Sequence, residues 1–211
     1  MVNASNVLVG APDQLTTGAI LSAPKAEDLI LPTSPLEELD IAFTSSGYIS
    51  DAGLTLTPER STTGIKDWSG ATVRQILEEF NSTLAWEHLE TNEESLKNYF
   101  GDDNVAIAAA TATTGTQMTA VLGAFELPRK AWLFRIKDGN RRVLIVVPDG
   151  QITEQGEVAF TKSGAILWPV TLSTYPDAQG NNIYIITDDG VFSDGGNGGG
   201  GETEPETDPE P

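Results

Sequence analysis

Residues 84–104 read LAWEHLETNEESLKNYFGDDN and contain the one convincing helix in a chain whose other patterns favour strands. Thr91 and Glu94 match the T-x-x-E capping box, in which two side chains satisfy the first unpaired amide hydrogens of a helix. Gly101 supplies a residue for the turn that ends the helix. A single apolar stripe lies between these ends, at Leu96, Tyr99 and Phe100. Because a helix of about nine residues is unstable alone, this stripe is expected to pack on a sheet formed by the rest of the chain.

The segment before the helix, Thr72–Glu90, fits two structures. A helical stripe is matched by Val73, Ile76, Leu77, Phe80 and Leu84. One face of a long strand is matched equally well by Ile76, Phe80, Leu84 and Trp86. Periodicity alone therefore leaves both a helix and a strand open for this segment.

The remaining patterns are those of strands. Alternation is clearest at Trp132, Phe134 and Ile136, and the turn residues Asp138-Gly139-Asn140 follow directly. Shorter strand patterns recur from Ile41 to Thr57 and from Ile166 to Leu172. Many short strands separated by turns, with one helix, predict a mainly β (α+β) fold, a β-sandwich or partly open barrel with one short flanking helix.

Composition divides the chain into three parts. Residues 1–40 are expected to form an N-terminal arm and edge strand, and the three prolines of Pro24–Pro35 indicate a surface connection. Residues 41–193 carry the strand patterns and form the predicted β domain. Residues 194–211 are rich in glycine, acid and proline, and we expect them to be disordered.

The chain is strongly acidic, with a net charge of −19 at 211 residues. Such a surface repels nucleic acid and anionic lipid, so a role in gripping DNA is disfavoured. Acidity of this kind also serves solubility. The chain has no cysteine, which fits folding in a reducing cytoplasm, and neither an export signal nor a membrane span is visible.

Catalytic and cofactor chemistry finds little support. The single histidine, His88, lies in an apolar segment, and a zinc site with two His or Cys ligands is excluded. The glycine run 195–201 lacks the Lys and Ser/Thr of a phosphate-binding loop. We therefore expect no enzyme activity, no metal and no cofactor.

Two polar regions are candidates for contacts with other molecules. Residues 58–70, PERSTTGIKDWSG, are predicted to form a long polar loop in which Trp68 is either a lid on the core or an anchor for a partner. Half of the twelve basic residues lie in one hairpin, either as a solvated strand face or as a charge-complementary contact. They are Arg129, Lys130, Arg135, Lys137, Arg141 and Arg142.

The order of four segments resembles the major tail tube proteins of long-tailed (siphovirus) bacteriophages. These are the polar-loop hairpin, the stretch LETNEESLKNYFG, the stretch RIKDGNRRVLIVVPDGQITEQGEVAF and the closing AILWPVTLSTYPDAQGNNIYIITDD. The resemblance covers roughly residues 40–190. It implies that six copies form a ring, that rings stack into a hollow tube, and that strands of neighbouring subunits join into a continuous inner barrel around the passing genome. It also implies that Thr72–Glu90 is a strand paired with Ile49–Thr57.

The same resemblance assigns roles to residues. Asp51, Glu78 and Glu79 are candidates for the lumen, where like charge would keep DNA from sticking. The loop 58–70 is expected to reach the neighbouring ring, with Arg60, Lys66, Asp67 and Trp68 as stacking candidates, and the six basic residues are expected to meet acidic surface on a neighbour. The implied partners are further copies of the chain and the tape measure, tail terminator and tail tip proteins, with no specific DNA binding and no membrane. The implied location is the virion tail, after assembly in the host cytoplasm. The alternative is a tail-tip or head-decoration β-sandwich binding module.

Overall fold

The computed structural model describes residues 7–13 and 18–192, so the predicted disordered tail, 194–211, lies outside the described residues. One helix, α1, spans Glu93–Phe100, and a short 3₁₀ turn follows at Asp102–Asn104. The strands are β1 Ile20–Pro24, β2 Thr44–Ser45, β3 Thr55–Lys66, β4 Thr72–His88, β5 Val105–Ala108, β6 Gln117–Ala120, β7 Arg129–Asp138, β8 Arg141–Gln155, β9 Trp168–Thr174 and β10 Tyr184–Asp188.

Eight of the strands form one antiparallel sheet in the order β2-β1-β7-β8-β9-β4-β3, with β10 paired to the first half of β8. Strands β5 and β6 form a separate two-stranded sheet. The described sheets do not close into a barrel, and the mainly β, sandwich-type fold predicted from the sequence is confirmed.

The large sheet curls around its principal core. Trp86 of β4 contacts Trp132 and Phe134 of β7, with ring centroids 5.4 and 5.3 Å apart. Strands β4 and β7 are three positions apart in the sheet, about 14 Å at the usual spacing between strands. The rings meet because the sheet bends, which lets Leu84, Val147 and Leu172 fill one apolar cluster.

The opposite face of the sheet carries a second core. Ala131 and Leu133 of β7 point into it, because successive residues of a strand alternate between faces. The segment 25–43 covers this face through Leu29, Leu31 and Phe43. The proline-rich surface connection predicted from the sequence is thus a cover for the sheet, and β7 is buried on both sides.

Helix α1 begins one residue later than the predicted capping box. Asn92 is the N-cap, and its side chain accepts a hydrogen bond from the amide of Ser95, whose hydroxyl accepts one from the Asn92 amide. Thr91 instead accepts a hydrogen bond from the indole of Trp168 at 3.0 Å. The helix ends at Gly101, whose φ of +98° suits glycine. The start was misassigned because Thr91 and Asn92 are both good capping residues.

The helix packs on β9 as the apolar stripe predicts. Tyr99 and Phe100 contact the ring of Trp168, with centroids 5.3 and 5.6 Å away, and Leu96 is buried. The hydroxyl of Tyr99 donates to the carbonyl of Gly156 at 2.8 Å. These contacts hold the helix against the outer side of the principal core.

Candidate assembly surface

A long hairpin projects from the body of the protein. It is made of β3 and β4, and we call residues 58–80, which are exposed on both faces, the projecting hairpin. The strand interpretation of Thr72–Glu90 is confirmed, and the predicted pairing with Ile49–Thr57 holds for Thr55–Thr57 and for Ile49, which lies opposite His88. The predicted loop 58–70 is wrong for residues 58–66. Residues 58–66 continue β3, and β4 pairs with Thr55–Lys66. Six of these nine residues are polar, which suggested a loop, although Thr62 and Thr63 suit a strand.

The projecting hairpin exposes apolar side chains that a monomer does not cover. They are Ile65, Val73, Ile76, Leu77 and Phe80. A two-stranded hairpin is at best marginally stable in water without a third strand or a packed face. Among the described residues, β3 pairs with β4 alone, so its outer edge is available to another chain. This combination is typical of a surface that is completed by a partner.

A β-bulge in β4 changes which residues share a face. Ser61 lies opposite Glu79 and Thr62 lies opposite Leu77, so Glu78 is the extra residue. Since Ser61 and Thr62 alternate, Glu79 and Leu77 lie on opposite faces, and Leu77 shares a groove with Phe80. Ile76, Phe80, Leu84 and Trp86 were predicted to share one face of the strand. The last three do, but the bulge places Ile76 on the opposite face.

The side of β3, β4 and β9 that faces away from the principal core is polar. We call it the polar face, and its neutral members are mostly Thr55, Thr57, Thr83, Thr171 and Ser173. As far along the hairpin as Ser61 and Glu79, its charged members are all acidic: Glu59, Glu79 and Glu87, joined by Glu154 of β8 opposite Thr171. Beyond the bulge the same side carries Ile76 and Arg74. Of the lumen candidates, only Glu79 pairs within this face. Glu78 lies in the bulge, and Asp51 lies in an exposed turn before β3.

The tip of the projecting hairpin is a hydrogen-bonded turn. The carboxylate of Asp67 accepts hydrogen bonds from the hydroxyl of Ser69 at 2.7 Å and the amide of Ala71 at 2.9 Å. The Ser69 hydrogen bond, followed by that from Ala71, lowers the pKa of Asp67. Gly70 closes the turn with a φ of +90°. Trp68 stands on this turn fully exposed, so it is not a lid on its own core.

The four stacking candidates do not lie together. Lys66, Asp67 and Trp68 form the tip, but Arg60 lies farther down β3, with its guanidinium 4.9 Å from the ring centre of Phe80. Strand pairing separates them because residues 61–65 are extended. The tip therefore presents Lys66 and Trp68, with Arg74 on the returning strand.

Among the described residues, Arg129, Lys130 and Arg135 of the six basic candidates form ion pairs. Arg129 donates two hydrogen bonds to Asp149, at 2.7 and 2.5 Å, and Lys25 contacts the same carboxylate. Lys130 is buried and binds Asp102 at 2.5 Å. Arg135 lies 3.6 Å from Asp13. The other three, Lys137, Arg141 and Arg142, are half-buried beside the β7–β8 turn.

Sequence reasoning missed a second exposed hairpin. Strands β5 and β6 and the segment up to residue 127 expose apolar side chains at Ile107, Met118, Val121, Leu122 and Phe125. A signal was present, because Val105–Phe125 is a run of 21 residues without a charged side chain. In so acidic a chain, an exposed and uncharged run is typical of an interface.

His88 is a buried core residue. Its Nε2 accepts a hydrogen bond from the indole of Trp86 at 3.0 Å, and its Nδ1 has no partner within the described residues. Burial lowers the pKa of His88 from 6.5 to about 3. The imidazole is therefore neutral in the folded protein at neutral pH and takes part in packing.

The depressed pKa of His88 predicts a pH dependence of folding. The unfolded chain binds the extra proton below pH 6.5, so the stability from this group is complete above that pH and is lost as the pH falls toward 3. Between pH 6.5 and 5.0 we expect the free energy of unfolding to fall by about 1.5 to 2 kcal/mol. Urea titrations of the monomer at both pH values measure this. His88→Gln, which keeps an acceptor for Trp86 and does not titrate, should lack this loss; an equal loss in both proteins would contradict the assignment.

In 7–13 and 18–192, no three His, Cys, Asp or Glu side chains are grouped so that they could hold a metal ion. Over the same ranges, the helices are too short and too polar to traverse a lipid bilayer.

Comparison with known proteins places the chain in a family. A family model described as "Phage tail tube protein" matches residues 2–195. A chain of the solved "Virion of native gene transfer agent (GTA) particle" is similar with a TM-score of 0.38 and 11% identity, covering 72% of this chain and 92% of that chain. No curated protein matches the sequence. The matched family is one of virion structural proteins, not of enzymes. Because the family match spans nearly the whole chain, the protein belongs to the phage tail tube protein family.

Proposed function

We propose that six copies of this protein close into a ring, and that the rings stack into the tail tube of a long-tailed phage, through which DNA passes into the host. The observation that carries this proposal is the projecting hairpin, which is exposed on both faces and has an unpaired edge. Ring closure would pair that edge with a neighbouring subunit and cover the apolar residues. The family match favours this tube subunit over a tail-tip or head-decoration module.

The polar face is the proposed wall of the lumen. Between the body of the subunit and the bulge, its hydroxyl and carboxylate side chains offer no cation to DNA phosphates, and Glu59, Glu79, Glu87 and Glu154 repel them. We propose that Asp51 and Glu78 add to the same negative potential from the adjacent turn and bulge. DNA would then slide through the tube without specific binding.

Other contacts complete the proposal. The hairpin tip is proposed to reach the next ring. Lys137, Arg141 and Arg142 are proposed to meet acidic surface on a neighbour, which would reduce repulsion among subunits of −19 each. Arg129, Lys130 and Arg135 would contribute positive potential to that contact from within their ion pairs. The proposed partners are the tape measure, terminator and tip proteins, met in the host cytoplasm during assembly.

Electron microscopy of the purified full-length chain tests the proposal. We expect tubes built of stacked rings with sixfold symmetry in averaged cross-sections. Rings of another symmetry would contradict the hexamer, and a chain that stays monomeric at all concentrations, with and without the other tail proteins, would contradict self-assembly. Simultaneous Glu79→Lys, Glu87→Lys and Glu154→Lys substitutions should leave tubes able to form but make them retain added DNA at low salt; tubes that retain none would contradict the lumen assignment.

A further inference from the structure

We propose that the indole of Trp68 inserts into a groove beside Phe125 on a second copy of this chain in the adjacent ring. This inference rests on the proposed function and adds the surface that receives the hairpin tip. We call the receiving surface the Phe125 groove, and it is lined by Phe100, Leu122, Phe125, Glu126, Leu127 and Gln151.

Trp68 differs from the other tryptophans of the chain. Its side chain is 104% exposed, whereas Trp86, Trp132 and Trp168 are 3%, 1% and 7% exposed. The hydrogen bonds of Asp67 define the turn beneath it, which reduces the conformational freedom that the tip loses on binding. An exposed aromatic side chain on a defined turn is typical of an interface anchor.

The Phe125 groove has the chemistry that an indole requires. It encloses about 290 Å³, and its walls include the exposed side chains of Leu122 and Phe125. The Gln151 side chain is occupied, since its amide donates to the Leu127 carbonyl at 2.6 Å and its oxygen accepts from Tyr175 at 2.9 Å. Glu126 accepts one long hydrogen bond from Gln151 at 3.3 Å, so its carboxylate retains acceptor sites for an indole N–H.

Charge complementarity supports this pairing. Lys66 and Arg74 flank Trp68, while Glu126 and Asp103 border the Phe125 groove and the cavity that adjoins it. This gives an attractive contact between two copies that otherwise repel each other.

The other described grooves fit less well. The groove beside Phe80 carries Arg60, the groove beside Ile136 carries Arg135 and encloses only about 90 Å³, and the groove beside Ala52 opens on the polar face. The groove beside Ala52 also carries the carboxylates Glu87 and Glu154, but it lies on the proposed lumen wall, whereas the Phe125 groove combines acidic charge with an exposed aromatic wall.

A double-mutant cycle on tube assembly tests the contact. Trp68→Ala and Phe125→Ala should each raise the critical concentration for tube formation about tenfold or more. The double variant should show no more than the larger single effect, because both changes remove one contact. Tyr48→Ala is the matched control, since Tyr48 and Phe125 are both 55% exposed. In the double variant Trp68→Ala/Tyr48→Ala, the critical concentration should rise by the product of the two single effects. Independent effects of Trp68 and Phe125, or no effect of either, would overturn the inference.

Cross-linking gives a second, direct readout, since the chain has no cysteine of its own. A chain carrying Ala71→Cys and Ala124→Cys, treated with a short bis-maleimide after assembly, should give a ladder of linked subunits. Ala71→Cys with Ala52→Cys should remain largely unlinked. Tubes seen by microscopy without a ladder from the first pair would overturn this inference and leave the proposed function standing. Failure of the wild-type chain to form tubes under any condition would overturn both.

Discussion

Shortening the projecting hairpin is expected to abolish tube formation while leaving the subunit folded. Arg60 and Phe80 are directly paired, so replacing residues 61–79 by Asn-Gly joins them through a two-residue turn that suits a hairpin. The removed residues are exposed and belong to neither core cluster. We therefore expect the free energy of unfolding to change by less than about 1 kcal/mol.

The two expectations for the shortened chain are measured separately. Urea unfolding reports the stability of the subunit, and sedimentation with electron microscopy reports assembly, with the full-length chain as reference. The shortened chain should sediment as a monomer at concentrations at which the full-length chain forms tubes. Tubes of normal appearance from the shortened chain would show that assembly uses other surfaces. A collapse of stability would instead give the hairpin a role inside the subunit.

Removing the buried ammonium of Lys130 is expected to destabilise the subunit strongly. Lys130 joins β7 to the helix region, binding Asp102 at 2.5 Å and Asn98 at 3.2 Å. Lys130→Met leaves the carboxylate of Asp102 without its partner. The buried side-chain oxygen of Asn98 then keeps only the long hydrogen bond from Ser22 at 3.4 Å. Breaking a buried ion pair by removing one member typically costs 3–5 kcal/mol, and the partial exposure of Asp102 reduces this to about 2–3 kcal/mol.

Lys137→Met is the matched control for Lys130→Met, because it removes the same group from the same strand where the side chain is half-buried. Its effect on the free energy of unfolding should stay within about 0.5 kcal/mol. Thermal or urea unfolding of both variants measures the two changes in the free energy of unfolding. Equal, small effects would mean that the Lys130 pair contributes little to folding. A selective effect of Lys137→Met on assembly would support its proposed contact with a neighbour.

The projecting hairpin explains why a stable subunit can expose so much apolar surface. The two cores are complete without it, because Trp132 and Leu172 of the principal core and Leu133 of the second core are covered within the described chain. The hairpin therefore adds little to folding and is available for assembly. In the free monomer the hairpin consists of only two paired strands. We therefore expect the hairpin to become more rigid when a neighbouring subunit adds a third strand.

Several features follow from the sequence alone. Local rules determine the helix. The spacing of Leu96, Tyr99 and Phe100 matches the helical period of 3.6 residues, and Gly101 ends the helix. Alternation at Trp132 and Phe134 and the turn at Gly139 determine β7 and β8 in the same way. Net charge already disfavours nucleic acid as a specific ligand, since charge depends on composition and not on fold.

Only the tertiary structure decided the rest, because it depends on pairing between distant residues. Threonine and serine between residues 58 and 66 suit both a loop and a strand, and pairing with β4 made them a strand. The bulge at Glu78 determines which residues of β4 share a face. The alternation pattern within one strand does not reveal a bulge, because a bulge is defined by pairing with the neighbouring strand. Lys130 and Lys137 differ by seven residues and look alike in the sequence, yet the first is buried against Asp102 and the second is not. The helical or extended state of Thr72–Glu90 was likewise settled by neighbouring strands, since hydrogen bonds to β3 and β9 outweigh an ambiguous local pattern.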